Sequence, residues 1–307
     1  MQKHRILSFL SLPADLNAAL HKRYDLIPFN GLSNSLYPGV DIAVTSGMVG
    51  ATAEYFDACP DLRLLVSQGA GLDKIDLPEA TRRGIAVAHT PDELTEDVGD
   101  AAIAMIYAAL RGIVRADRFV RAGRWKTERI APAHRVGGKT IGIVGLGRIG
   151  LHIARRAEAV GMTVQYHGRR PLPDVPYPFV LGLLDLAANA DVLVLSCPGG
   201  EATHHLVGRD VLAQLGPKGL LVNIARGSVV DEVALLDALE AGTLGGAALD
   251  VYEHEPDINP RFLKLDNVTL TPHAASITYE TRAAIIDRML NDIDAFLTGR
   301  PFFNAAR

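Results

Sequence analysis

The chain has 307 residues, 48% hydrophobic and 21% charged, with a formal net charge of −4 at pH 7. That length supports two domains with real cores, and there is no basic excess to hold nucleic acid or an anionic membrane. Cys59 and Cys197 are too few for a disulfide framework and lack metal-ligand spacing. Both read as small buried hydrophobes in a reducing compartment, and no metal site is expected.

The first ten residues begin basic and turn apolar, as a leader would, but the run stops at Pro13 and reads as a first strand. No apolar stretch is long enough to span a membrane, so the expected location is cytoplasmic. Strands are predicted over 6–9, 24–27, 42–45, 64–67 and 85–88, and helices over 13–21, 51–58 and 78–83. This βα alternation is the doubly wound pattern. Two glycine-bearing turns follow strands, Thr45-Ser-Gly-Met48 and Ser67-Gln-Gly-Ala-Gly71. Such turns are either ligand sites or ordinary connections.

From Thr95 an Ala-rich apolar helix is predicted, running on towards Arg121, with Thr95 as N-cap and Glu96 and Asp97 in its first turn. Trp125 reads as a packing residue, with substrate contact as the lesser reading. A second βα series follows. Its strands are predicted over 140–144, 163–166, 191–196, 219–223, 247–250 and 268–270. Its helices are predicted over 147–160, 183–188, 209–214 and 229–241, with a proline-dense loop at 171–178 and a last helix over 277–297.

The first strand of this series ends in Gly145-Leu-Gly-Arg-Ile-Gly150, a GxGxxG between strand and helix. Gly145 makes a tight turn, Gly147 lets backbone approach a pyrophosphate, and Gly150 allows close packing. The helix start, with Leu146, Arg148 and Ile149, faces the phosphates with free N–H groups. An NAD-specific unit carries a carboxylate at the end of its second strand. Here that place is His167-Gly-Arg-Arg170. Gly168 makes room, and Arg169 and Arg170 match a 2′-phosphate, so NADP(H) is the preferred cofactor and NAD(H) is possible. The bland alternative is a solvated arginine pair.

Three residues stand after strands of the same series: Arg226, Glu255 and His273. Arg226 can grip a carboxylate, His273 can protonate a carbonyl oxygen, and Glu255 can hold the imidazole in one tautomer and raise its proton affinity.

The motifs Gly145–Gly150, Asn223-Ile-Ala-Arg-Gly-Ser-Val-Val-Asp-Glu232, Leu249-Asp-Val-Tyr-Glu-His-Glu-Pro256, Thr271-Pro-His-Ala-Ala-Ser276 and Val66-Ser-Gln-Gly-Ala-Gly-Leu-Asp-Lys-Ile-Asp76 occur in this order. Together they resemble the D-isomer-specific 2-hydroxyacid dehydrogenase family over nearly the whole chain. The resemblance implies an α/β protein of two doubly wound domains, a Rossmann cofactor domain (97–274) inserted in a flavodoxin-like substrate domain (1–96 and 275–307). Hinges are implied near 90–95 and 274–278, with the active site in the cleft. Arg226, Glu255 and His273 are the implied catalytic residues. Ala70 and Gly71, with Arg226 and His273, would bind substrate. The cofactor set would add Cys197, Pro198, Ile224, Ala225 and Asp250, besides Arg226 and His273. Longer members carry a regulatory C-terminal extension that is not expected here.

Within the family, His167-Gly-Arg-Arg170 resembles NADPH-using glyoxylate and hydroxypyruvate reductases and the nearby hydroxyphenylpyruvate reductases. Glu255 stands where formate dehydrogenases have Gln. The implied reaction is reduction of a small 2-keto acid. The alternatives are aryl pyruvate reduction, an NAD-linked oxidation, or a dinucleotide-sensing, corepressor-like scaffold. A homodimer built on the cofactor domain is implied, with the helix after Thr95 involved.

Overall fold

The computed structural model describes residues 3–32 and 36–306, so the start of the basic N-terminal run and the last residue lie outside it. The chain begins β1 (Arg5–Ser8), α1 (Ala14–Arg23), β2 (Asp25–Pro28), β3 (Ile42–Ser46), α2 (Ala53–Ala58), β4 (Leu64–Gln68), α3 (Leu77–Arg82) and β5 (Ala86–His89). Then come α4 (Thr95–Leu110), α5 (Ile113–Arg121), β6 (Thr140–Val144), α6 (Arg148–Ala159), β7 (Thr163–His167), α7 (Leu183–Asn189) and β8 (Val192–Leu195). It ends with α8 (Arg209–Leu215), β9 (Leu220–Asn223), α9 (Glu232–Glu240), β10 (Gly246–Leu249), β11 (Val268–Leu270) and α10 (Tyr279–Leu297). Two compact units result, Met1–Leu94 with Thr278–Arg307, and Thr95–Ile277.

The first unit holds a parallel sheet in the order β2-β1-β3-β4-β5, the flavodoxin-like order. Its strands are apolar on both faces because each face is covered. Ile6, Ile42, Val44, Leu64 and Val66 pack with Leu16 and Leu20 of α1 and Ile285, Met289 and Ile293 of α10. The alternate residues Leu7, Ala43, Leu65 and Val87 pack with Phe56 and Ala80 on the other side. The period of two along each strand thus becomes two separate cores. Thr278 starts α10 by accepting the Thr281 N–H at 3.0 Å.

The second unit holds a parallel sheet in the order β11-β10-β9-β8-β6-β7. Beyond β7 a single parallel bridge from Tyr166 to Phe179 adds the remnant of another strand. With it, the first six positions in chain order run 3-2-1-4-5-6, the doubly wound dinucleotide-binding order. The prolines at 171–178 keep this edge from becoming a longer strand, since they offer no N–H to a ladder.

Two predicted helices depart from their expected bounds by three residues or more. The helix towards Arg121 is broken after Leu110, and Gly112 turns left-handed at φ 59° before α5 begins. The helix predicted from 229 starts at Glu232, because Asp231 caps it by accepting the Ala234 N–H at 3.0 Å. Val230 is drawn off into an extended bridge with Val207. Trp125 is 64% exposed, so it does not pack within this chain. Cys59 is buried and Cys197 only partly so; burial raises both thiols to about 11, which leaves them unreactive. Among the described residues, no helix is long and apolar enough to cross a membrane.

Candidate active site

The glycine turn after β6 is built by close contacts. Gly145 has φ 94°, and a Cβ there would lie 2.7 Å from the Cys197 Cα. A Cβ on Gly150 would lie 2.3 Å from the Gly145 carbonyl oxygen, so α6 starts pressed against the turn itself. Ser196 Oγ donates to that carbonyl at 2.7 Å. Gly147, by contrast, faces open space, with nothing within 4 Å of a Cβ. It is the N-cap of the twelve-residue α6 and has no side chain to satisfy the first N–H groups. Those donors remain available to an anion. Ile224 and Ala225 are buried beside this edge of the sheet, and Pro198 is exposed.

After β7, Gly168 also faces open space. Arg169 and Arg170 are exposed, and neither forms an ion pair with a described residue. The guanidinium groups are uncommitted.

The three strand-end residues come together because β9, β10 and β11 are neighbours in the sheet. His273 Nδ1 lies 2.8 Å from Glu255 Oε2. Glu255 Oε1 accepts the Tyr252 N–H at 2.9 Å. Burial pushes the Glu255 carboxyl up, but the bonds from His273 and Tyr252 and the charge of Arg226 outweigh it and hold it below the ordinary value. The Nε2 of His273 has no partner among the described residues. Arg226 Nη1 donates to the Ala225 carbonyl at 2.8 Å, and Asn223 fixes the turn through the Arg226 carbonyl and the Ala225 N–H. Gly227 is indispensable here: a Cβ would fall 1.8 Å from the Tyr252 carbonyl carbon. The turns carrying Arg226 and Glu255 therefore touch backbone to backbone.

Asp250 supports the loop that carries His273. It is 2% exposed, and its carboxylate accepts from Thr271 Oγ1 at 2.6 Å, the Ala274 N–H at 2.8 Å and the Ala275 N–H at 3.0 Å. The His273 N–H adds a bond to the Asp250 carbonyl at 2.8 Å. This clamp holds His273 at φ 52°, a left-handed conformation uncommon for a side chain of its kind. Neither the clamp nor the cis Glu255–Pro256 bond was foreseen from the sequence. The DV-x-x-x-E pattern points at chemistry, and nothing linear connects Asp250 to residues 271–275.

In the first unit, the two glycine turns lie side by side. A Cβ on Gly47 would meet the Gly71 carbonyl at 2.7 Å. Gly69 exchanges bonds with Thr90, 2.8 Å from its N–H to Oγ1 and 3.1 Å from its carbonyl to the Thr90 N–H. His89 Nδ1 lies 3.1 Å from the Ala70 carbonyl. The N–H groups of Ala70 and Gly71 have no acceptor among the described residues.

The model of the D-isomer specific 2-hydroxyacid dehydrogenase NAD-binding domain matches residues 103–275. A glyoxylate/hydroxypyruvate reductase of Arabidopsis thaliana is 42% identical over 306 residues, covering 98% of each chain. The chain belongs to the D-isomer specific 2-hydroxyacid dehydrogenase family. A hydroxyphenylpyruvate reductase of Plectranthus scutellarioides is 44% identical over 258 residues, 84% of this chain and 82% of that one. The solved NADPH-dependent glyoxylate/hydroxypyruvate reductase of Sinorhizobium meliloti, in complex with NADP and malonate, superposes with a TM-score of 0.90 at 37% identity, over 96% of this chain and 94% of that one. This 2-hydroxyacid dehydrogenase is thus an oxidoreductase with a nicotinamide cofactor, and its α/β fold of two parallel sheets is the one expected from its motifs.

Proposed function

We propose that this dehydrogenase reduces small 2-keto acids, glyoxylate and hydroxypyruvate foremost, to D-2-hydroxy acids with NADPH. The observation that carries the reading is the His273–Glu255 contact of 2.8 Å with the second imidazole nitrogen left open. The cofactor fits the residues present. Gly145, Gly147 and Gly150, with the N-terminus of α6, would hold the pyrophosphate, and Gly168, Arg169 and Arg170 the 2′-phosphate. A nicotinamide held by these residues would supply hydride chemistry at the keto carbon. Arg226 binds the substrate carboxylate and polarises the carbonyl. Protonated His273 gives the Nε2 proton to the carbonyl oxygen, while Glu255 stabilises the imidazolium and keeps Nδ1 as the inward donor.

The test is kcat/KM for glyoxylate, hydroxypyruvate and phenylpyruvate with each reduced cofactor. Glyoxylate and hydroxypyruvate are expected to lead with NADPH. The hydroxyphenylpyruvate reductase relative supports a second reading, and a lead by phenylpyruvate would establish it. Binding without turnover on any substrate would instead favour a dinucleotide sensor.

Replacing Arg169 and Arg170 together by alanine is expected to lower kcat/KM for NADPH by about 10- to 100-fold, the worth of one or two charge-assisted bonds. NADH use is expected to stay within about threefold, because the 2′-hydroxyl carries no charge for them to meet. An equal loss with both cofactors would show that the pair acts on the fold and not on the 2′-phosphate.

The acting form is a homodimer joined through the second unit. The segment from α5 onward exposes Ile113 (52%), Val120 (53%), Trp125 (64%) and Ile130 (42%), apolar groups that the described residues leave about half in solvent. Sedimentation is expected to give twice the chain mass, and Val120→Lys to give monomer. A wild-type monomer at micromolar concentration refutes this arrangement.

A further inference from the structure

Apart from the reduction site, the fold brings two imidazoles and a carboxylate together between the stretch after β8 and the turn after β10. The rings of His204 and His205 stack with centroids 3.9 Å apart and planes at 23°. His205 Nε2 lies 3.2 Å from Glu253 Oε1, across 48 positions of sequence. One ligand atom from each of His204, His205 and Glu253 lies within 4.8 Å of the other two.

Backbone contacts hold both sides of this cluster. His205 sits at φ 50°, its N–H bonded to the Ser228 carbonyl at 2.8 Å, and the next residues are tied down by the bridge from Val207 to Val230. The Glu253 N–H is held by Glu232 Oε2 at 3.1 Å, and the Tyr252–Glu253 peptide rests on Gly227. The three donors thus converge without depending on their own mutual contact.

The chemistry of the set is selective. Were both stacked rings protonated, two cations would face each other with one carboxylate to balance them. A single divalent ion places its charge between the donors instead. Metal–ligand bonds of about 2.0–2.2 Å set tetrahedral donors about 3.3 Å apart, and because an imidazole lone pair lies in its ring plane, one ring turns out of the stack to aim at a shared ion. Two imidazoles and one carboxylate suit zinc, cobalt or nickel, and do not suit magnesium or calcium, which want oxygen shells.

We propose that His204, His205 and Glu253 form a zinc-type metal site, with the fourth position left to water. The ion staples the stretch after β8 to the turn that carries both Glu253 and Glu255. It takes no part in the reduction itself.

Zinc is titrated by calorimetry into full-length, tag-free, chelator-treated protein. One ion per chain with Kd at or below about 10 µM is expected, with a higher melting temperature in its presence. Cobalt alone is expected to give the visible absorption of a four-coordinate ion. His204→Gln, His205→Asn and Glu253→Gln are each expected to weaken zinc at least tenfold; Asn is chosen at 205 because it tolerates the left-handed backbone. His254→Gln, on the same turn but outside the cluster, is the control and is expected to bind as wild type. Absence of saturable zinc binding, or equal binding in all four variants, overturns the site whether or not the chain proves to be a keto-acid reductase.

Discussion

His273→Gln is expected to lower kcat for 2-keto acid reduction by about 10²- to 10⁴-fold, the usual worth of a positioned acid. The geometry makes this substitution informative. The loop bearing His273 is held by the Asp250 clamp through Thr271, Ala274 and Ala275, none of which uses the imidazole. Glutamine therefore removes the proposed proton donor and leaves the bonds of the clamp in place. Affinity for NADPH, read by quenching or calorimetry without substrate, is expected to change less than about threefold, far below the drop in rate. Near wild-type turnover in this variant would remove His273 from the chemistry.

The pH profile separates the roles further. The hydrogen bonds and the positive neighbours of Glu255 depress its proton affinity in the folded protein. The sign follows: its stabilising contribution is present above the ordinary carboxyl value and is lost as pH falls through the lowered one. Near neutrality it is an ionised acceptor for Nδ1. In the proposed reduction this carboxylate holds Nδ1 while Nε2 faces the substrate, so His273→Gln breaks the pairing at the imidazole and leaves the carboxylate in place.

Arg226→Ala is expected to lower kcat/KM for 2-keto acids by about 10²- to 10⁴-fold, since a forked guanidinium–carboxylate contact carries two charge-assisted bonds. Both KM and kcat are expected to move, because in the proposed mechanism the same group binds the carboxylate and polarises the carbonyl. The backbone at 226 is extended, with φ −143°, and the turn is held by Asn223, so alanine is accommodated there. Arg226→Lys restores the charge and not the fork, and is expected to recover only part of the loss. Steady-state kinetics of the three proteins give the answer, and a KM unchanged in the alanine variant would place Arg226 outside the substrate site.

Much of the fold was legible because parallel strands covered on both faces must be apolar throughout, and those runs stand out between glycine turns. Where the reading failed, a single local group had overridden a pattern. Gly112 broke a continuous apolar period, and the cap from Asp231 moved a helix start by three residues. Arg226, Glu255 and His273, the proposed catalytic residues, each follow a strand within a motif visible in the sequence. The support beneath them is not visible there. The Asp250 clamp, the backbone contact at Gly227 and the cluster of His204, His205 and Glu253 are all long-range, and no linear spacing encodes them. Trp125 misled for the same reason: a lone large aromatic says nothing about whether its own chain covers it.

The three residues at the proposed centre of the chemistry stand at the ends of three adjacent parallel strands, β9, β10 and β11. Their spacing is inherited from the interval between strands, about 4.8 Å, which every parallel sheet shares whatever its side chains. Substitutions inside the cores then spend stability and leave the arrangement of the functional groups as it was. Substitutions in the turns do the opposite. Selection can adjust the robustness of this enzyme and its taste in substrates as two nearly independent traits, and laboratory evolution aimed at one has reason to leave the other's residues alone.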